Sequence, residues 1–226
     1  MCGRFAQIFP TEDLINFFEV TDSLPLQSRY NIAPTQNVAV IRATEHHRQL
    51  AILRWGLIPR WANDLSIGNK TFNARSETVH AKPSFKSALK SRRCLIPASG
   101  FYEWDKIGKS RQPYYFSRRD GQPIAFAGLW EEWTDCQSDG IIESCTILTT
   151  SANQTVGLIH ERMPVIIGFN DYGLWLSHKV QRIEELRDLF RPAAENILRI
   201  VPVTTYVNKV GQEGPDCVAP VPAGGS

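Results

Sequence analysis

The sequence predicts an α+β fold, with a mostly antiparallel, barrel-like β core flanked by short helices. Three observations carry this reading. Strand-length apolar runs recur from residue 37 to residue 203 and are separated by hairpin-type turns. Helical periodicity is confined to a few short segments. No internal repeat and no linker divides residues 1–210, which are read as a single domain, with 211–226 as a Gly/Pro/Ala-rich, flexible C-terminal tail.

In chain order, Thr11 to Val20 places Leu14, Phe17 and Phe18 at i, i+3 and i+4, an amphipathic helix. Leu24-Pro25-Leu26 and Asn31-Ile32-Ala33-Pro34 read as loop. Asn37–Arg42 and Arg48–Trp55 form a hairpin about the polar turn Thr44-Glu45-His46-His47. Pro83–Arg92 reads as helix, with Phe85, Ala88 and Leu89 on one face. Strands follow at Cys94–Ala98, Phe101–Asp105, Pro113–Arg118, Ile124–Trp130, Ile141–Thr150 and Met163–Ile167. Gly108-Lys109 and Asp120-Gly121 supply turns. Asn170–Ser177 and Gln181–Phe190 are helical, and Leu198–Val203 is a last strand.

The chain has 226 residues, 42% hydrophobic and 21% charged, enough to bury a sizeable core and too apolar for global disorder. Its 25 basic and 23 acidic side chains leave a formal charge of +2, so charge alone does not bring it to nucleic acid; a local patch must. Five cysteines (Cys2, Cys94, Cys136, Cys145, Cys217) make no even framework and no CxxC pair. That disfavours disulfide scaffolds and structural zinc and fits a reducing compartment. No apolar run has transmembrane length and the start lacks the build of a signal peptide, so a cytoplasmic location is expected.

Four segments carry chemistry. Removal of Met1 would leave an α-amine and a thiol on adjacent carbons of Cys2, with ordinary pKa values of about 7.7–8.0 and about 8.5. An aldehyde would meet the amine as an imine, and the thiol could then close a five-membered thiazolidine. With Met1 in place the amine is an amide, and crosslinking is not expected. In Phe72-Asn73-Ala74-Arg75-Ser76-Glu77-Thr78, an extended backbone would put Asn73, Arg75 and Glu77 on one polar face. The downstream cations Lys82, Lys86, Lys90, Arg92 and Arg93 fit a solvated helix face. In Gly100-Phe101-Tyr102-Glu103-Trp104, alternation sets Glu103 on the side of Phe101. There it is either a desolvated proton shuttle or a strand carboxylate paired with arginine. His160, in His160-Glu161-Arg162-Met163-Pro164, is either a hydrogen-bonded edge residue or a catalytic one; the spacing is not HExxH. His46, His47, His80 and His178 read as surface residues. No GxGxxG follows a strand, and neither a phosphate-binding loop nor a GxSxG elbow is present.

Taken together, MCGR, RYNIAPTQ, RWGLIPRWA, FNARSET, CLIPASGFYEW, ILTTSAN and IHERMPVII, in this order from residue 1 to about 168, resemble the SRAP (SOS-response-associated peptidase) family. A VNKVG segment follows near residue 208. The resemblance implies a β-barrel-like core with flanking helices and a protein that processes abasic sites in single-stranded DNA. Cys2 would be the crosslinking nucleophile, Asn73 the lesion sensor and Glu103 the proton donor and acceptor, while His160 would assist opening of the abasic sugar. Arg4, Arg75 and Arg162 would hold phosphates; Pro34 and Trp61 would press on bases. Three such arginines predict a log–log salt slope of about −2 on single strands, at about −0.7 per contact. The resemblance further implies lyase and self-processing peptidase side activities, and no metal or organic cofactor. The expected partner is abasic single-stranded DNA near strand junctions, bound by a monomer that becomes nucleoid-associated with its DNA. A cysteine peptidase and a non-enzymatic single-strand binder are the competing readings.

Overall fold

A computed structural model describes residues 2–22, 24–107, 110–135 and 139–221. In chain order they form β1 (Phe5–Gln7), α1 (Thr11–Phe18), β2 (Val20–Asp22), β3 (Arg29–Ile32), β4 (Asn37–Ala43), β5 (Arg48–Trp55), β6 (Asn73–Arg75), α2 (Lys86–Ser91) and β7 (Arg93–Ala98). Then come β8 (Gly100–Ile107), β9 (Ser110–Arg118), β10 (Ile124–Thr134), β11 (Ile141–Ser151), α3 (Gln154–Gly157), β12 (Arg162–Pro164), α4 (Tyr172–Leu176) and β13 (Leu198–Pro202). The fold is α+β.

Strands β11, β10, β7, β4 and β5 run antiparallel in that order, and β5 closes on β11 in parallel through Arg54 opposite Ser144 and Trp55 opposite Cys145. Closure into a ring removes the strand edges that an open sheet would expose. Beyond the closed part, β11 gains β6 on one edge, with Arg75 opposite Thr149, and β12 on the other, with Arg162 opposite Ser151. A second, antiparallel sheet, β13-β9-β8-β1-β3, lies against the barrel. Its alternation is clean. Phe5, Phe101 and Phe116 pack with barrel residues Trp55 and Phe126, while Ala6, Tyr102 and Tyr115 face Val203, Val207 and Cys217. Gly100, opposite Ala6, has to be glycine because a Cβ there would come within 2.4 Å of the Phe116 carbonyl oxygen.

Several elements differ from the sequence reading. Arg29–Ile32 is a strand rather than loop, and β1, β2 and β6 are added; runs of three or four residues are too short to show a period. The segment expected as the helix Gln181–Phe190 is a 3-10 helix over Ile183–Phe190, and Met163–Ile167 shortens to Arg162–Pro164. The expected tail from residue 211 is packed as far as Val221. Cys217 is buried, Glu213 pairs with Arg29, and Val203 bridges Pro220. Gly108-Lys109, Cys136 and residues 222–226 lie outside the described residues.

The basic stretch splits. Lys82, Lys86 and Lys90 are exposed as expected. Arg92 instead pairs with buried Glu131 at 2.7 Å. Arg93 is buried and donates to the carbonyl oxygens of Leu89, Lys90, Trp175, Ser177 and Val180, tying α2 to the segment after α4. Burial lowers its pKa to about 10, so it stays charged at neutral pH, satisfied by carbonyls. No described helix is long and apolar enough to cross a membrane.

Candidate active site

Pairing of β1 with β8 delivers the first two site residues. The register of Phe5 opposite Phe101 is continued by Tyr102 N–H donating to the Arg4 carbonyl at 3.0 Å, which runs the N-terminal segment alongside Glu103. Cys2 is fully buried, in the apolar cluster that holds Phe5, Phe101 and Trp55 and borders Phe72 and Ile159. Burial, with the nearby Glu103 carboxyl, pushes the Cys2 thiol well above its ordinary value. The partly ionised thiol expected from the free amino acid is therefore corrected: in this environment it is a neutral thiol.

Glu103 is 4% exposed. Desolvation raises its pKa to about 7, so it is poised to hold or release a proton near neutrality. It lies on the Phe101 face of β8, as alternation predicted, away from Tyr102 and Trp104.

The barrel supplies the other groups, from the two edges of β11. On β6, Asn73 Nδ2 donates to the Cys2 carbonyl at 2.7 Å, while its Oδ1 is buried and has no hydrogen-bond partner among the described residues. Buried amide oxygens are rarely left so, which makes this atom available to an incoming donor. On the other edge, α3 starts with Asn153 accepting from Val156 N–H and leads into His160. His160 Nδ1 accepts from Arg162 N–H at 3.0 Å, so a neutral ring carries its proton on Nε2. Burial lowers its pKa, which favours that neutral form.

The arginines fall into three states. Arg75 is exposed. Arg162 is bound by Glu77 through two hydrogen bonds, Nη1–Oε1 at 2.6 Å and Nη2–Oε2 at 2.9 Å, and also donates to the Thr149 carbonyl at 2.7 Å. Arg4 donates to Asn31 Oδ1 at 2.5 Å and to the Val207 carbonyl at 3.0 Å, and its guanidinium carbon lies 5.4 Å from the Trp104 ring centroid. These contacts join the segment ahead of β1 to Asn31 on β3 and to the Val207 segment. Pro34 is half-buried and precedes Thr35, whose φ of 76° puts a β-branched residue in the left-handed region. Thr35 is held there by its N–H on the Trp55 carbonyl at 2.7 Å and by Arg54 on its own carbonyl at 2.7 Å. Trp61 is 58% exposed, on a loop anchored by Trp133 Nε1 donating to the Ala62 carbonyl at 2.7 Å. Gly56, at φ +136°, lets this loop pass Gly68, whose oxygen a Cβ would meet at 2.5 Å.

Cys2, Asn73 and Glu103 are thus brought together, with His160 and Arg162 on the far edge of β11. The sequence reads Glu77 only as part of a polar face with Asn73 and Arg75, and does not single out Asn31; that they partner Arg162 and Arg4 is not legible in it. They lie 85 and 27 residues from those arginines, and no periodicity signals such pairs. Among the described residues, no cluster of three or more His, Cys, Asp or Glu could hold a metal ion.

Comparison with known proteins places these features. "Abasic site processing protein YoqW" of Bacillus subtilis (strain 168) is 37% identical over 222 residues, covering 96% of this chain and 99% of that protein. "Abasic site processing protein HMCES" of Gallus gallus is 33% identical, covering 86% of this chain and 67% of its own length. A crystal structure of a Bacteroides thetaiotaomicron protein superposes with a TM-score of 0.88 over 97% of this chain and all of that one; at 22% identity it speaks for the fold alone. Residues 1–210 match the family described as SOS response associated peptidase (SRAP), and the chain belongs to that family.

Proposed function

We infer that the protein, once Met1 is removed, captures abasic sites in single-stranded DNA as a covalent crosslink through Cys2. An abasic sugar equilibrates between a closed hemiacetal and a scarce open aldehyde. Opening needs a proton on the ring oxygen as the hydroxyl proton leaves. Neutral His160 would donate a hydrogen bond from Nε2 to the sugar, and protonated Glu103 would supply the proton and, as a carboxylate, take up the one the hydroxyl releases. The Cys2 amine then adds to the aldehyde carbon, Glu103 protonates the carbinolamine oxygen, and loss of water leaves an iminium and the Glu103 carboxylate. The thiol adds to that carbon and gives up its proton to the Glu103 carboxylate. Aldehyde, amine and thiol thus become thiazolidine plus water, with the proton cycled by one carboxyl.

A neutral thiol suits this order, because the iminium is a strong enough electrophile for it while bystander electrophiles are not. If the ring does not close, loss of the proton next to the iminium carbon expels the neighbouring phosphate, so strand cleavage is a side branch of the same intermediate. Asn73, with one amide atom on the Cys2 carbonyl and the other unpaired among the described residues, would fix the nucleophile and read the lesion. Arg75 and Arg162 would take phosphates. The observation that carries the reading is the convergence of Asn73 and Glu103 on Cys2.

The test is a denaturing gel with Met1-free protein and a uracil-containing single strand treated with uracil glycosylase. A protein–DNA band that survives denaturation, needs the abasic site and disappears in Cys2→Ala is expected. Retention of intact and abasic strands alike, with no surviving band, would leave only a strand binder. Cys2-dependent hydrolysis of a peptide without DNA would make it a cysteine peptidase. Protein retaining Met1 should give no band.

A further inference from the structure

Glu77 stands where a phosphate would have to go. Strand β11 carries β6 on one edge and β12 on the other, so the residues just after β6 and at the start of β12 meet across Thr149–Ser151. There the Arg162 side chain, 12% exposed, is covered by the half-exposed Glu77 carboxylate. Its two Nη atoms hold the two carboxylate oxygens in the fork geometry with which arginine also grips phosphate. Of its five N–H donors, two face Glu77, one goes to the Thr149 carbonyl, and Nε is buried without a partner among the described residues. The hydrogen bonds from Arg162 hold the Glu77 carboxyl below its ordinary range, and the charge of Arg75 adds to this. One carboxylate therefore partly neutralises both arginines that the reading above assigns to DNA.

Room for an alternative position exists beside it. A cleft of about 450 Å³ runs from Glu77 past His80 to Arg187 and Arg191. Arg187 and His80 are exposed, and Arg191 is held by Asp188 at 2.6 Å. A displaced carboxylate would meet cations there rather than bare apolar surface.

We propose that Glu77 is a built-in competitor for DNA phosphate, a latch that occupies Arg162 until a strand displaces it into this cleft. The latch lowers affinity for intact single strands, and stable retention then depends on covalent capture at Cys2. It rests on the DNA-capturing reading above, but its own readout is binding to intact DNA, which that chemistry does not touch.

The experiment measures affinity of Met1-free protein for an intact single strand, for wild type, Glu77→Gln, Arg162→Ala and the double variant, with crosslinking to an abasic strand scored separately. Glu77→Gln should bind intact DNA about two- to fivefold more tightly, the factor that an ion pair with one half-exposed partner represents. Arg162→Ala should cost more in the Glu77→Gln background than in wild type, because only there is the arginine unlatched. Thermal melts of each variant identify any that fail to fold, and Glu77→Ala then provides a second removal of the carboxylate. Weaker binding by Glu77→Gln would overturn the latch and make Glu77 an orienting partner of Arg162; unchanged binding would also overturn it. A gain in affinity without any crosslink would keep the latch and refute capture, and crosslinking without the gain would do the reverse.

Discussion

The two sides of the site treat charge in opposite ways. Cys2 and Glu103 arrive from the second sheet, just ahead of β1 and on β8, fully or almost fully buried, with both protons held more tightly than usual. Asn73, Arg75, His160 and Arg162 arrive from the edges of β11, where side chains are half-buried or exposed. Burial holds protons on the groups that must exchange them, while the groups that must meet phosphate are accompanied by solvent, at Arg75, or by a carboxylate, at Arg162. A site built wholly on either side would manage only one of the two tasks.

If the sheet side does the chemistry, its removal should produce the largest effect. Cys2→Ser keeps the amine but replaces the thiol with a hydroxyl, whose ring closes and holds less well. The durable adduct should vanish from denaturing gels, while a borohydride-trappable imine and some strand cleavage remain. A Cys2→Ser adduct as durable as that of wild type would rule out the thiazolidine.

Next in size is Glu103→Gln, which keeps the shape but cannot cycle a proton. Crosslinking should slow by about 10²–10⁴-fold with DNA affinity nearly unchanged. The wild-type rate, if limited by ring opening, should fall as pH rises through about 7, where the carboxyl loses its proton. Stability moves in the same direction. The folded pKa is raised from 4.5 to about 7, so the fold binds a proton that the unfolded chain releases. That stabilisation is whole below the unfolded value and is lost as pH rises through the folded one. Glu103→Gln should therefore melt higher than wild type at about pH 8 and show no such advantage at about pH 4.5. A variant that melts lower at both would mean that Glu103 is ionised and paired.

His160→Ala tests the barrel side and should cost less, about a hundredfold, the low end of what losing one such donor costs. The loss should be larger for a closed abasic sugar than for a small pre-opened aldehyde. Equal slowing on both would assign His160 to imine chemistry or to positioning.

Much of this division was legible in the sequence, unevenly. Alternation through Phe101-Tyr102-Glu103-Trp104 predicted which face carries the carboxyl, because a long strand repeats its period often enough to be seen. The hairpin of β4 and β5 was legible for the same reason. The short strands that aim the site were not: β1, β3 and β6 have three or four residues and owe their conformation to neighbours far along the chain. Arg93 illustrates the other blind spot. It reads as one more cation on a solvated face, yet it is buried because carbonyls from α2 and from the segment after α4 surround it. Thr35 is a third case: nothing in Pro34-Thr35-Gln36 announces a left-handed threonine, which the Arg54 and Trp55 hydrogen bonds impose.

The smallest effect concerns Arg75 and sharpens the barrel side alone. Three arginine contacts would give a salt slope of about −2, but Arg4 is committed to Asn31 and the Val207 carbonyl, which leaves Arg75 and an unlatched Arg162. The slope on intact single strands should therefore lie near −1.4, twice the roughly −0.7 of one contact. Arg75→Ala should remove one of those contacts, flattening the slope to about −0.7 and weakening intact and abasic strands alike. Arg4→Ala, by contrast, should leave the slope unchanged and lower the melting temperature, because it unties the segment ahead of β1 from Asn31 on β3 and from the Val207 carbonyl. A slope that flattens in Arg4→Ala would return Arg4 to the phosphate-binding set. A loss in Arg75→Ala confined to abasic strands would make Arg75 a reader of the lesion, and the barrel side would then share in recognition of the damaged sugar as well as in holding the backbone.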